Sequence, residues 1–138
     1  MTENEIASPV LHAAFLLHTK PDLGRLETVV LAHELRKKGL SVERQLPMPI
    51  VYDGIRFDEA FRIDLLVGSK VIVELKSVEC LSPPHVKLLT QLRLANFKLG
   101  LLINFGERHL KNGIKRIINK PQNLKSLGIF FVTFVDFV

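Results

Sequence analysis

Two apolar runs set three residues apart, "FRIDLLV" (61–67) and "VIVELK" (71–76), restrict this chain more than any other feature. The second alternates Val71, Val73 and Leu75 with Ile72, Glu74 and Lys76, which is the period of a β-strand. Gly68-Ser69-Lys70 between them suits a tight hairpin loop. Register then decides the chemistry, because a one-residue slip turns every side chain to the other face. A two-residue turn would set Asp64 opposite Val73 and leave Asp64 and Glu74 on opposite faces. A three-residue loop pairs Val67 with Val71, sets Asp64 across from Glu74 and brings Arg62 toward Lys76. The two carboxylates then stand with β-carbons about 5 Å apart.

Adjacent anions repel, so one of the pair should titrate above its ordinary range. A divalent cation between them resolves the repulsion, and Mg²⁺ is commonly held by one or two carboxylates, waters and substrate phosphates. Lys76, on the same face, could orient or deprotonate a water or offset charge on a phosphate. The ordinary alternative is a solvated strand end with Asp64 paired to Arg62 or Lys76.

The rest of the chain alternates helices and strands. Helices are expected over about Glu5–His18 and Leu26–Lys38, the first broken by "KPDLG" and the second stopped at Gly39. "LSVERQLPMPIVYDG" predicts an edge strand or bulged ribbon, because Pro47 and Pro49 cannot donate to a ladder. "SPPHVKLLTQLRLAN" predicts a third helix, with His85 as a helix-start residue. "LGLLINFG" predicts a strand buried on both faces. "GIFFVTFVDFV" predicts a last strand, added to the sheet beside "LGLLINFG" or paired with another chain. With no repeat or linker, the reading is one α/β domain over residues 1–138.

Charge narrows the partners. Residues 1–68 carry eight Lys/Arg against ten Asp/Glu, and residues 69–138 eleven against four. A basic half suggests a polyanion, although a solvated face that binds nothing is the ordinary reading. Cys80 is the one cysteine and the five histidines lack zinc-site spacing, so neither a disulfide nor a zinc module is expected. No apolar run is long enough for a membrane span, and the N-terminus lacks a secretion pattern. A cytoplasmic protein without membrane contact is the expectation.

An ordered set of segments carries a family resemblance: "MTENEIA", "GRLE" (24–27), "GLSVERQLPMPIVYDGIRFDEAFRIDLLV" (39–67), "VIVELKSVE" (71–79), "LLTQLRLANFKLGLLINFG" (88–106) and "GIKRIIN" (113–119). Together they resemble the GxxExxY family of the PD-(D/E)XK nuclease superfamily. The resemblance implies a restriction-endonuclease-like αβββαβ core, with a mixed central sheet flanked by helices. It implies that Glu27, Asp64 and Glu74 hold Mg²⁺ or Mn²⁺, that Leu75 adds its carbonyl, and that Lys76 is the catalytic lysine. The implied activity is phosphodiester hydrolysis in nucleic acid, with DNA the expected form. A catalytically silent module that binds nucleic acid or a protein is the second reading.

Three features depart from the family pattern. The naming tyrosine is missing after "GRLETV", Lys87 stands where a glutamine is common with Gln91 at the usual tyrosine position, and the apolar tail is long. Lys87 and Gln91 lie four apart, so both are expected to meet a phosphate backbone. Lys111, Lys115 and Arg116 in "KNGIKR" are expected to help them. Phe134 and Phe137 of the tail leave apolar surface for a second copy of the chain, a homodimer.

Overall fold

The computed structural model describes residues 1–20, 26–77, 85–120 and 129–131, the last group and residues 85–86 by backbone alone. Helix α1 (Glu3–His18) and helix α2 (Glu27–Lys37) precede a long hairpin of β1 (Val42–Tyr52) and β2 (Ile55–Val67). Strand β3 (Val71–Lys76), helix α3 (His85–Ala95) and strand β4 (Leu99–Asn104) follow. A 3₁₀ turn (Leu110–Gly113) leads into β5 (Ile114–Ile118), and β6 (Ile129–Phe131) comes last. The six strands form one sheet in the order β5-β4-β3-β2-β1-β6. This is a mixed, helix-flanked α/β sheet of the restriction-endonuclease-like kind.

Helix α1 begins two residues before the expected Glu5. The signal is "TENE": the Thr2 hydroxyl accepts the Glu5 N–H at 3.2 Å, and the Glu5 carboxylate accepts the Thr2 N–H at 3.0 Å. This reciprocal box satisfies donors that a bare helix start leaves open. The apolar face of α1 (Ile6, Val10, Ala13, Ala14, Leu17) is buried with Leu31 and Leu35 of α2 against one side of the sheet. Leu88 and Leu92 of α3 cover the other side. Strands β3 and β4 run parallel, joined through α3, as a crossover connection requires.

The hairpin loop takes the three-residue form, pairing Val67 with Val71, Leu66 with Ile72 and Leu65 with Val73. At the other end of β2, Asp53 (φ +53°) and Gly54 (φ +71°) make the two-residue turn that joins β1 to β2. Strand β2 therefore starts six residues earlier than "FRIDLLV" suggested. Residues 55–60 are exposed and their apolar alternation stops at Phe57; pairing with β1 holds Ile55–Phe57 extended, and 58–60 fall at the register shift between Met48 and Ile50.

The β1–β2 ribbon changes its buried side part-way along. Val42, Leu65 and Val67 face α1 and α2, whereas Leu46, Met48, Phe61 and Ile63 face the α3 layer. Ladder pairing is intact on both sides of the change, with Arg44 opposite Leu65 and Leu46 opposite Ile63. The change falls on Gln45, whose φ is +52°, and on Asp64 across from it. A single left-handed residue is a known way to re-aim a strand.

Two expectations about the edges need correction. Strand β5 was not expected, yet it pairs with β4 from Leu99–Ile118 to Ile103–Ile114. Strand β4, with β3 on one side and β5 on the other, is buried along its whole length. The side of "LGLLINFG" is therefore taken, and β6 adds instead to the far edge, beside Ile50–Tyr52 of β1. The expected dimer contacts at Phe134 and Phe137 lie outside the described residues. No described helix is long and apolar enough to cross a membrane.

Candidate active site

Asp64 sits where the β2–β3 ladder stops. The last matched pair is Leu65–Val73; the next backbone donor on that side, Leu75 N–H, bonds instead to Asp64 Oδ2 at 3.0 Å. The side chain thus replaces a strand carbonyl, and β2 can leave β3 without an unpaired amide. Asp64 is brought beside Glu74 by this splitting of the strands, and the expected regular cross-strand pair is not formed.

Glu74 lies on the α3 side of β3 and is only 3% exposed. Its Oε1 stands 3.1 Å from Lys76 Nζ and 3.8 Å from Lys87 Nζ. Among the described residues its Oε2 is buried with no hydrogen-bond partner. Burial raises the Glu74 pKa above the usual carboxylate range, and the charge of Asp64 raises it further. The two ammonium groups oppose that shift without overcoming it. The like-charge expectation is met in direction, with desolvation the larger cause.

Glu27, at the start of α2, is reached from the end of β3: Ser77 Oγ donates to Glu27 Oε1 at 3.4 Å. Among the described residues, no three His, Cys, Asp or Glu side chains gather closely enough to hold a metal ion. Glu27 therefore approaches the site without joining Asp64 and Glu74 in one ligand group. The ligands present still suit a hard divalent cation, because both carboxylates offer oxygen and Glu74 Oε2 is a buried acceptor with no donor among the described residues.

The five expected nucleic-acid contacts separate. Lys87 is exposed and turns toward Glu74, so it belongs to the site itself. Gln91, one turn further along α3, is fully buried; its Nε2 donates to the Arg62 carbonyl at 3.5 Å and its Oε1 has no partner among the described residues. Helix α3 lies against the sheet at that point, between Leu88 and Leu92, so Gln91 cannot meet a phosphate in this conformation. Lys115 and Arg116 are adjacent on β5 and so face opposite layers. Lys115 is opposite Leu102 on the α3 side, with the site, and it lines a cavity together with Lys76. Arg116 is opposite Leu101 and donates to Asn4 Oδ1 of α1 at 2.6 Å, on the far side. Lys111 is exposed on the 3₁₀ turn.

Sequence reading missed Ser77, whose hydroxyl links Glu27 to β3, and Asn104, the parallel neighbour of Lys76. A polar residue ending an otherwise apolar strand was the available signal for Asn104.

A split hairpin that brings an aspartate beside an E-x-K strand is now joined by a family match. A model of the PD-(D/E)XK nuclease superfamily matches residues 4–117. The chain belongs to that superfamily. No curated protein and no solved structure matches it significantly. Membership supports a nuclease-type function in general terms, and nucleases of this superfamily generally depend on divalent metal.

Proposed function

We propose that this protein is a metal-dependent phosphodiesterase acting on nucleic acid, with DNA as the substrate and Mg²⁺ or Mn²⁺ as the ion. The observation that carries the reading is the meeting of Asp64, Glu74 and Lys76 where β2 leaves β3, with Glu74 Oε2 buried and unsatisfied. Asp64, Glu74 and the Leu75 carbonyl would hold the ion, with Glu27 completing the set from α2. A bound divalent ion supplies Lewis-acid chemistry, activating water and offsetting charge on the phosphate oxygens. Lys76, held against Glu74, presents its ammonium to the reacting phosphate or to the attacking water. Lys87, Lys111 and Lys115 add positive charge along the backbone path. The GxxExxY subfamily is the proposed place within the superfamily, on the segments quoted above. A homodimer through the tail belongs to the same proposal.

The second reading, a silent nucleic-acid-binding module, is favoured by two observations. Lys87, beside Glu74, stands where the GxxExxY resemblance commonly places a glutamine, and among the described residues Glu27 is outside any metal-holding group. Purified protein incubated with single-stranded, double-stranded and branched DNA and with RNA, in Mg²⁺ and in Mn²⁺, separates the two. Cleavage that Asp64→Ala and Lys76→Ala abolish supports the enzyme; intact substrates in every mixture leave the module.

A further inference from the structure

A cavity of about 160 Å³ opens beside Lys76 on the α3 side of the sheet. Strand register places it. Glu74, Leu102 and Lys115 form one rung across β3, β4 and β5, and Lys76 with Asn104 forms the next same-face rung toward the strand ends. Asp64 lies on the β2 side of Lys76 and the cavity on the β5 side. Lys76 thus stands between Asp64 and the cavity, with Glu74 beside it on the same strand. A phosphate held at the carboxylates would have one neighbouring nucleotide directed over this opening.

The walls are fixed by bonds. The Phe105 N–H donates to the Lys76 carbonyl at 2.7 Å, and the Gly106 N–H donates to Asn104 Oδ1 at 2.9 Å. His18 Nε2 meets the Glu107 carbonyl at 2.8 Å. Gly113 lets the 3₁₀ turn close on the strand, because a β-carbon there would fall 2.5 Å from the Asn104 carbonyl oxygen.

Lining chemistry selects the occupant. Lys76 and Lys115 only donate, Glu107 only accepts when ionised, and the Asn112 amide does both. A carboxylate is wrong for a site made for phosphate alone, and right for amino or hydroxyl donors. Leu102 adds an apolar surface for a ring. The volume equals roughly five waters at about 30 Å³ each, and is below the roughly 300–1,000 Å³ of pockets for drug-sized ligands. One ring can enter; a stretch of duplex cannot.

We propose that this cavity receives the base or sugar of one unpaired nucleotide next to the scissile phosphate, so that the substrate is single-stranded at the site. The proposal rests on the nuclease reading above and adds the substrate class. A paired base would have to leave its stack first, at a free-energy cost that an unpaired one avoids. Duplex carries the higher charge density, so electrostatics alone would favour it. A single-strand preference must therefore come from a shaped contact.

Binding without metal tests this apart from catalysis. Fluorescence anisotropy in EDTA would compare one labelled oligonucleotide, single-stranded and as its duplex. The wild type is expected to bind the single strand about tenfold more tightly, a difference of about 1.4 kcal/mol. Asn112→Leu, which narrows the opening and removes its amide, is expected to remove the preference, and Asn112→Ala, which removes the amide alone, to weaken it. In wild-type protein, millimolar deoxynucleoside monophosphate should shift the Asn112 side-chain amide resonance, a readout independent of whether the leucine variant folds. Equal or tighter duplex binding, an unmoved amide, or a natively melting Asn112→Leu that keeps the preference would each overturn the proposal. Preference without cleavage in either metal would keep the subsite and remove only the enzyme.

Discussion

Lys76 Nζ lies 3.1 Å from Glu74 Oε1, while the other oxygen of the same carboxylate, Oε2, is buried and unsatisfied. One end of Glu74 is therefore paired within the strand, and the other has no partner among the described residues. An unsatisfied buried acceptor is costly in a structural sheet, and a nuclease site has a use for it.

The raised pKa of Glu74 gives a pH dependence with a definite sign. The folded state binds this proton more tightly than the unfolded chain does. The associated stability is complete below the ordinary glutamate pKa and is lost as pH rises through the higher folded value. Glu74→Gln should therefore melt above the wild type at pH 8 in EDTA, with the gap closing toward pH 4. Thermal melts across that range check it; a glutamine variant less stable at pH 8 would contradict the assignment.

Metal should stabilise the native protein through Asp64. Binding to the native state alone raises stability by about 2.7 kcal/mol at a hundred times Kd. Asp64→Asn keeps an acceptor for the Leu75 N–H but removes a charge beside Glu74, so it should stabilise the metal-free protein and abolish the metal response. Melting curves with Mn²⁺ and with EDTA, for both proteins, are the measurement. A response to Mn²⁺ that survives in Asp64→Asn would place the ion elsewhere. In cleavage assays Lys76→Ala should lose on the order of 10²-fold or more, the size set by a positioned proton-transfer group.

Gln91 offers a test of burial against contact. Its Oε1 is buried without a partner among the described residues, and its Nε2 makes only a long 3.5 Å bond to the Arg62 carbonyl. Gln91→Leu should raise stability by about 1 kcal/mol, read as a higher urea midpoint at unchanged slope. Weaker nucleic-acid binding at native stability would restore Gln91 to the interface.

Lys115 and Arg116 should differ although they are neighbours. Lys115→Ala should lower the salt slope of nucleic-acid affinity by about 1, as expected for one lost phosphate contact. Arg116→Ala should leave that slope unchanged and act on α1 through Asn4. Binding titrations at several salt concentrations distinguish them, and equal slopes for the two variants would mean that both layers touch the substrate.

Much of the fold was legible because it rests on local signals. The Gly68-Ser69-Lys70 loop set the β2–β3 register, and the apolar run of β4 announced burial on both faces. Strand β5 was hidden because "IKRII" shows only a short alternation after a basic turn. The far-edge position of β6 depended on β5 already occupying β4, a fact no local window contains. At the site, register singled out Asp64, Glu74 and Lys76, but the ladder ends at Leu65–Val73 and Asp64 reaches β3 through the Leu75 N–H instead of the expected pair. The fate of Lys87 and Gln91 was not legible there: helical spacing says they share a face, and the packing of α3 against the sheet buries Gln91 while leaving Lys87 exposed.

The switch of layers at Gln45 and Asp64 ties two properties to a single conformational choice. A regular ribbon would return Asp64 to an ordinary ladder position and would also send Leu46, Met48, Phe61 and Ile63 to the wrong layer. Chemistry and core therefore stand or fall together over these residues. A lineage that abandoned catalysis would still be held to this irregular strand by folding alone, so the bent backbone would outlast the activity it serves.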